Sequence, residues 1–163
     1  MAQLGSSTVF GNLTVMGQTK STDYLYGKVD CISGQMGTIS TITGPTLIPF
    51  DDFWISGRGI TYSAATKRFT ISQAGLYRIT FNPFFNNTGG PHRVLIGKNT
   101  DAPTQSNHIG HAYSAVQYYN MGSIDSLVQL NANDYIVFYL LTGSLYNGTT
   151  DRFNQFSIMK IGE

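Results

Sequence analysis

The chain has 163 residues, and its 10 Lys and Arg against 9 Asp and Glu give a formal net charge of +1. Only 12% of the residues are charged and no Lys/Arg run occurs, which argues against nucleic acid and against an anionic membrane as partners. No apolar stretch approaches the ~20 residues of a spanning helix, so we expect no membrane insertion. The low charge, with aromatic residues at 13% and 18 Gly, argues for an ordered all-β protein and against a disordered one.

Residues 1–45 contain three short segments of β-like alternation bounded by glycine, at 11–17, 27–34 and 37–44. The first of these reads Gly-Asn-Leu-Thr-Val-Met-Gly. Aromatic residues are scarce here, so one copy of the region cannot build a packed core. We predict that residues 1–45 form a β-rich stem or anchor, in which identical chains wrap around one another. The alternative is a flexible linker.

The Gly44-Pro45 pair ends this pattern, and residues 46–163 form the predicted head. Alternation predicts strands at residues 48–55, 67–71, 76–81, 93–96, 112–119, 127–130, 135–141 and 153–161. Turn-forming residues separate them, and no window has helical periodicity. Roughly eight to ten strands at this spacing predict a β-sandwich or jelly roll.

The segment at 135–141 reads Tyr-Ile-Val-Phe-Tyr-Leu-Leu and is apolar on both faces of its predicted strand. An antiparallel strand of a sandwich normally buries one face and exposes the other to water. Either a loop of the same chain or a second subunit must therefore cover the other face. Aromatic, charge-poor surfaces are typical of interface cores, so we predict a subunit interface. Its predicted residues are Tyr113, Tyr119, Tyr135, Val137 and Tyr139.

The order of these segments resembles the globular head shared by complement subcomponent q and the tumour necrosis factor (TNF) superfamily. Four motifs carry the resemblance, and the matching residues are Gly59, Tyr62, Phe69 and Thr70; Gly75, Tyr77, Ile79 and Phe81; Leu127 or Val128, Leu130, Asp134 and Val137, with Asn133 where the family usually has Gly; and Phe153, Phe156 and Ile158. The resemblance covers about residues 47–162. It implies a TNF-like jelly roll that forms tight homotrimers around a threefold axis.

Motifs of hydrolase, nucleotide-binding and metalloprotease sites are absent from the sequence, and we expect no enzyme and no cofactor. His108 and His111 have a spacing that suits a metal on a threefold axis, but acidic and thiolate partners are missing nearby; ordinary loop histidines are the alternative. Asp125, Asp134 and Asp151 lie near turns, where some relatives of this fold bind calcium, but they form no dense oxygen cluster. We therefore predict no metal.

The N-terminus has neither the basic nor the apolar region of a signal peptide, so we expect synthesis in a host cytoplasm. Cys31 is the single cysteine, which excludes an intrachain disulfide. We expect its side chain to behave as a buried small hydrophobe and not as a nucleophile.

A glycine-punctuated stem joined to a trimeric jelly-roll head is similar to bacteriophage head fibres and capsid decoration proteins. The resemblance implies a virion structural protein whose residues 1–45 dock on the major capsid protein or another virion protein. The loops at 86–92, 101–111 and 146–152 then either bind a host glycan or receptor, or only solvate the particle. The predicted ligand-facing residues are Asn87, His92, His108, Tyr146 and Asn147.

Two alternatives remain open. A tail-borne receptor-binding protein of the same architecture would differ in its location and in having a defined ligand site. A cell-surface ligand of the complement/TNF type is the other, although the missing signal peptide and collagen-like repeat count against it.

Overall fold

The computed structural model describes residues 30–56, 58–87, 90–115, 118–148 and 152–162. All the regular secondary structure in these ranges is β-strand. The strands are β1 Cys31–Gln35, β2 Ile42–Thr43, β3 Thr46–Leu47, β4 Asp52–Ser56, β5 Ile60–Ser63, β6 Arg68–Ile71, β7 Gly75–Asn82, β8 Phe84–Phe85, β9 His92–Lys98, β10 His108–Ser114, β11 Asn120–Met121, β12 Ile124–Leu130, β13 Tyr135–Thr142, β14 Ser144–Leu145 and β15 Gln155–Gly162. The all-β prediction is therefore confirmed.

Two antiparallel sheets form a sandwich. The first sheet has the strand order β12-β7-β15-β1-β4, and the second has the order β10-β9-β13-β6-β5, with β3 also paired to β13. A small third sheet, β11-β8-β14-β2, extends from the strands that directly follow β7 and β13. The chain passes repeatedly from one main sheet to the other, as it does in a jelly roll.

The core lies between the two main sheets because strand side chains alternate between the two faces, and the inward ones are mostly apolar. In β7, Tyr77, Ile79 and Phe81 are fully buried while Arg78 is exposed, as the alternation predicts. Phe50 lies at the centre, with ring centroids 4.5 Å from Phe156 of the first sheet and 5.4 Å from Phe138 of the second. Aromatic contacts between the sheets therefore form the middle of the core.

Residues 48–55 are predicted as one strand, and this prediction is wrong. Residues 52–55 do belong to β4 of the first sheet, but residues 48–51 connect β4 to β3 in the second sheet. The amide of Ile48 still donates to the carbonyl of Phe138 at 2.8 Å, but Phe50 then turns into the core with 2% of its surface exposed. Burial of that ring between the sheets outweighs continued strand pairing.

The turn before β13 explains one departure from the family pattern. Asn133 has φ of 71°, a left-handed conformation that Asn tolerates better than most residues with a side chain, and it stands where the family usually has Gly. Asp134 accepts a 2.8 Å hydrogen bond from the amide of Asn131. Burial opposes ionisation of Asp134, but hydrogen bonds from Asn99, Asn131 and Lys98 outweigh it and lower the pKa of its carboxyl.

The predicted boundary at residue 45 needs correction. Residues 31–35 form β1, which lies between β15 and β4 in the first sheet, so this segment belongs to the head. Pairing with the far end of the chain supplies the burial that the segment lacks alone. The segment at 11–17 and the start of that at 27–34 fall outside the described residues, and the stem assigned to them stays a prediction.

Candidate assembly surface

The outward side of the first sheet, here called the first-sheet face, carries several exposed apolar side chains. Five large ones, with 37–64% of their surface exposed, belong to its strands: Trp54, Ile55, Leu127, Met159 and Ile161. Strand alternation places Leu127 on this face, because Ile124 and Leu130 at the two ends of β12 point into the core. In β4, Ile55 pairs with Ser33, two residues from Cys31, and so lies on the same face. A surface of this kind on a small protein indicates an interaction site.

The strand register brings part of this apolar surface into one row. Leu127 pairs with Arg78, Arg78 with Met159, and Met159 with Cys31, so the row crosses four strands. Directly opposite side chains on one face lie about 5 Å apart and contact one another. Cys31 is half-buried there; burial and then the nearby Asp30 carboxylate raise the pKa of its thiol, which keeps it protonated.

The central charges of the first-sheet face neutralise each other. Arg78 donates two hydrogen bonds to Asp125, with Nε to Oδ1 at 2.9 Å and the second nitrogen to Oδ2 at 2.6 Å. Both side chains are half exposed. The hydrogen bonds from Arg78 hold the pKa of the Asp125 carboxyl below its usual value, so the pair persists at neutral pH.

None of the five residues predicted from the sequence to form the interface belongs to this sheet, and one of them, Tyr119, lies apart from the other four. Tyr113, Tyr135 and Tyr139 belong to the second sheet, where Tyr113 is 51% exposed and the other two are half-buried. Tyr119 lies beside the third sheet, where its ring stacks on Phe84 at 5.9 Å.

The prediction for Val137 is wrong, because Val137 is fully buried within one chain. The loop at 99–107 folds back over Gly97, its register partner. A Cβ on Gly97 would lie 2.8 Å from the Thr100 carbonyl oxygen, 2.9 Å from Val137 and 3.1 Å from Pro103. A loop of the same chain, and not a second subunit, therefore covers the outer face of β13 at Val137.

Two of the predicted ligand-facing residues are structural, so that expectation is wrong for them. His92 is fully buried, and its Nδ1 accepts a hydrogen bond from the amide of Ser144 at 3.1 Å. Asn147 is buried and donates to the carbonyls of Gly37 and Ile39 at 2.9 and 2.6 Å. Each side chain satisfies backbone groups that would otherwise be buried without partners. Asn87 is exposed.

Burial of His92 gives a pH-dependent stability. Burial lowers the pKa of the imidazole in the folded chain, whereas the unfolded chain keeps a pKa of about 6.5. Between these two pKa values the unfolded chain binds more protons than the folded chain. The stabilisation is complete above the unfolded-state pKa and is lost as pH falls through the folded-state pKa. We expect the free energy of unfolding in urea to decrease from pH 7 to pH 5. His92→Gln should reduce this slope, and equal slopes in the two proteins would contradict the assignment.

Tyr146 belongs to an aromatic group that the sequence does not reveal. Phe84 stacks on Phe153 with centroids 4.2 Å apart, and Tyr146 contacts Phe84, Phe153 and Tyr119 at 6.0, 5.9 and 5.1 Å. These residues come from three separate stretches of chain, so only the folded structure brings them together. The cluster restrains the position of Tyr146, which is half-buried.

The candidate metal ligands that the structure describes do not come together in one group. His108 and His111 lie together, with Nε2 3.0 Å from Nδ1, but the described residues contain no group of three His, Cys, Asp or Glu side chains suited to a metal. Asp125 pairs with Arg78, and Asp134 accepts from Lys98 Nζ at 3.0 Å, so each carboxylate already has a cation. Asp151 lies outside the described residues.

Within the described part of the chain, no helix has the length and apolar character needed to cross a bilayer. No protein-family model matches the chain, and no curated protein sequence matches it either.

Solved structures do match. Eiger TNF from S. frugiperda superposes with a TM-score of 0.64 at 9% identity, covering 83% of this chain and 94% of that one. Murine APRIL, crystallised at pH 5.0, has a TM-score of 0.64 at 10% identity, covering 81% and 100%. Identity this low establishes the fold alone. The chain therefore has a TNF-like jelly-roll fold, in agreement with the expectation from its sequence motifs.

Proposed function

We propose that the chain is a self-assembling structural protein, a homotrimeric jelly-roll head that is displayed on the surface of a virion. The observation that carries the assembly is the first-sheet face, where the exposed side chains of Ile55, Leu127 and Met159 lie on the same side as a neutralised ion pair. Burying such a surface against another copy removes apolar area from water without isolating a charge.

A second apolar surface on the same chain explains how copies join. Tyr118, Tyr119 and Met121 are 79%, 50% and 60% exposed, and they directly precede β12, the edge strand of the first sheet. Two different patches that meet across an interface form a heterologous contact, which closes into a ring when the rotation permits. We propose that residues 118–121 of one copy pack on the first-sheet face of the next. Tyr119 thus keeps its predicted interface role, but with a different partner surface.

Sedimentation equilibrium tests the assembly directly. We expect a species of three times the chain mass of 17.9 kDa, stable on dilution. A mass of one chain at all concentrations would contradict the proposal.

Placement on a bacteriophage particle, as a head fibre or capsid decoration, is the finer part of the proposal. It is supported by the glycine-punctuated segment at residues 11–17, which resembles virion stems, and by a head without a catalytic grouping in its sequence. The residues that precede β1 would then dock on the capsid protein. Immunogold labelling of purified particles tests this: label over the whole capsid supports it, label only at the tail tip favours a receptor-binding protein, and unlabelled particles contradict both.

A second candidate is a cell-surface ligand of the TNF type, favoured by the structural likeness to Eiger TNF and APRIL. The same purified chain distinguishes the two. A ligand would act on its target cells as the free protein, whereas a virion component would co-purify with its particle.

The two Arg–Asp pairs provide a matched test of the face. Arg78 with Asp125 lies on the first-sheet face, and Arg68 with Asp101 lies at the second sheet with similar exposure. Asp125→Asn should weaken the trimer because it leaves the Arg78 guanidinium uncompensated at the interface. Asp101→Asn should leave the sedimentation mass unchanged. Equal dissociation of both variants would contradict the assignment.

A further inference from the structure

We propose that an open cavity on the outer side of the second sheet binds an acidic sugar residue, a hydroxylated ring that carries a carboxylate. The cavity has a volume of about 370 Å³, and its lining residues are Arg93, Leu95, Gln105, His108, His111 and Tyr113. The inference rests on the proposed display function for its biological setting. Its chemistry does not, because every lining residue belongs to one chain.

A backbone irregularity brings the two histidines to the same side. Residues three apart in a regular strand point to opposite faces, since strand side chains alternate with a period of two. The pairing of β10 with β9 shifts register between His108 and Gly110, as in a β-bulge. Both imidazoles consequently line the cavity, with Nε2 of His108 3.0 Å from Nδ1 of His111. Bulges are frequent where a side chain must be redirected at a functional site.

Hydrogen bonds determine which ring nitrogen of each histidine carries the proton. Nδ1 of His108 lies 3.1 Å from the Thr104 carbonyl oxygen, which only accepts, so this nitrogen carries the proton. Nε2 of a neutral His108 must then accept, and Nδ1 of His111 donates to it. Nε2 of neutral His111 is left as an acceptor. A ligand hydroxyl supplies the matching donor.

Arg93 supplies the site for an anion. Its guanidinium carbon lies 5.1 Å from the centre of the Tyr113 ring, which holds the cation in place. Among the described residues Arg93 has no carboxylate partner, and no carboxylate lines the cavity, in contrast to Arg68 and Arg78 with their aspartates. An unpaired guanidinium matches a carboxylate bidentately.

The remaining lining residues suit a sugar better than a simple anion or a metal ion. The Gln105 amide offers both a donor and an acceptor for hydroxyl groups. Tyr113 is 51% exposed and gives an aromatic surface for the ring. The Arg93 guanidinium in the same cavity disfavours a metal cation. A hydroxylated carboxylate, in contrast, uses the guanidinium, the acceptor nitrogen of His111 and the Gln105 amide together.

Titration of the full chain tests the site, with glucuronic acid and N-acetylneuraminic acid as probes and with binding followed by calorimetry and by imidazole NMR shifts. We expect at least one acid to bind with a Kd on the order of 1 mM, since the cavity is open. Glucose, which lacks the carboxylate, and acetate, which lacks the hydroxyls, should each bind about tenfold more weakly. Equal binding of acetate or glucose, or no binding of either acid, would overturn the proposal.

Variants separate this site from assembly. Arg93→Gln and His111→Phe should each weaken acid binding about tenfold, while Arg58→Gln, an exposed arginine outside the cavity, should not. Thermal melting checks that each variant is folded. The titration is repeated on the monomer expected of Leu127→Asp: retained binding there shows that the site acts within one chain. Loss of binding in a folded monomer would contradict the single-chain site without bearing on trimerisation.

Discussion

Leu127→Asp is expected to convert the trimer to a folded monomer. Leu127 is 64% exposed at the middle of edge strand β12, in a row with Arg78 and Met159. Burying the Leu127 side chain under a neighbouring subunit contributes roughly 1–2 kcal/mol at each interface of the trimer. A carboxylate at this position adds a desolvation cost of several kcal/mol. We expect association to weaken at least about 100-fold, which is about 2.7 kcal/mol. Sedimentation velocity measures the mass, and near-UV circular dichroism shows that the fold persists.

Tyr113→Asp is the matched control. Tyr113 is 51% exposed, belongs to the second sheet and is one of the residues predicted from the sequence to form the interface. If the first-sheet face assembles the protein, this variant remains trimeric. Dissociation by Tyr113→Asp combined with a trimeric Leu127→Asp would return the interface to the second sheet.

Phe138→Ala should destabilise the fold more than any surface change. Phe138 is fully buried, and its ring lies 5.0 Å from Phe81, 5.4 Å from Phe50 and 5.8 Å from Phe156. Removing a core Phe costs about 3–5 kcal/mol through lost burial and a cavity. Domains are stable by roughly 5–15 kcal/mol, so a large part of the stability is lost. The urea midpoint of unfolding reports the change.

Phe153→Ala provides the comparison. Phe153 is half-buried at the end of the sandwich and stacks on Phe84 at 4.2 Å. Such a pair is worth about 0.5–1.5 kcal/mol beyond its burial, so a smaller decrease is expected. Both variants should be compared in the Leu127→Asp background, because association otherwise stabilises the folded chain by mass action. Similar losses in the two variants would contradict the central position of Phe138.

The sequence predicts most strands of the head because their burial alternates with a period of two. β7 and β9 contain the predicted segments at 76–81 and 93–96, and the apolar segment at 135–141 is β13. The segments at 48–55 and 112–119 are less well predicted. At 48–55 the chain crosses between sheets, and β10 ends at Ser114. Local alternation does not specify where a chain leaves a sheet.

The candidate sites are less predictable than the strands. An exposed Leu127 has the same local pattern as a buried one, and its direction depends on which neighbours in β12 face the core. His108 and His111 have a spacing that separates them in a regular strand, yet a register shift brings them together. His92 and Asn147 are polar residues near loops, but they are buried because backbone groups distant in the chain require partners.

Alternation, turn residues and family-like motifs are therefore enough to specify an all-β jelly-roll head, since these signals depend on neighbouring residues. The folded structure decides which surface is left uncovered. The loop at 99–107 covers Val137, and β1 completes the first sheet from a segment outside the predicted head. The physical reason is that coverage of a sheet depends on contacts between residues far apart in the chain, and local periodicity contains no information about those contacts.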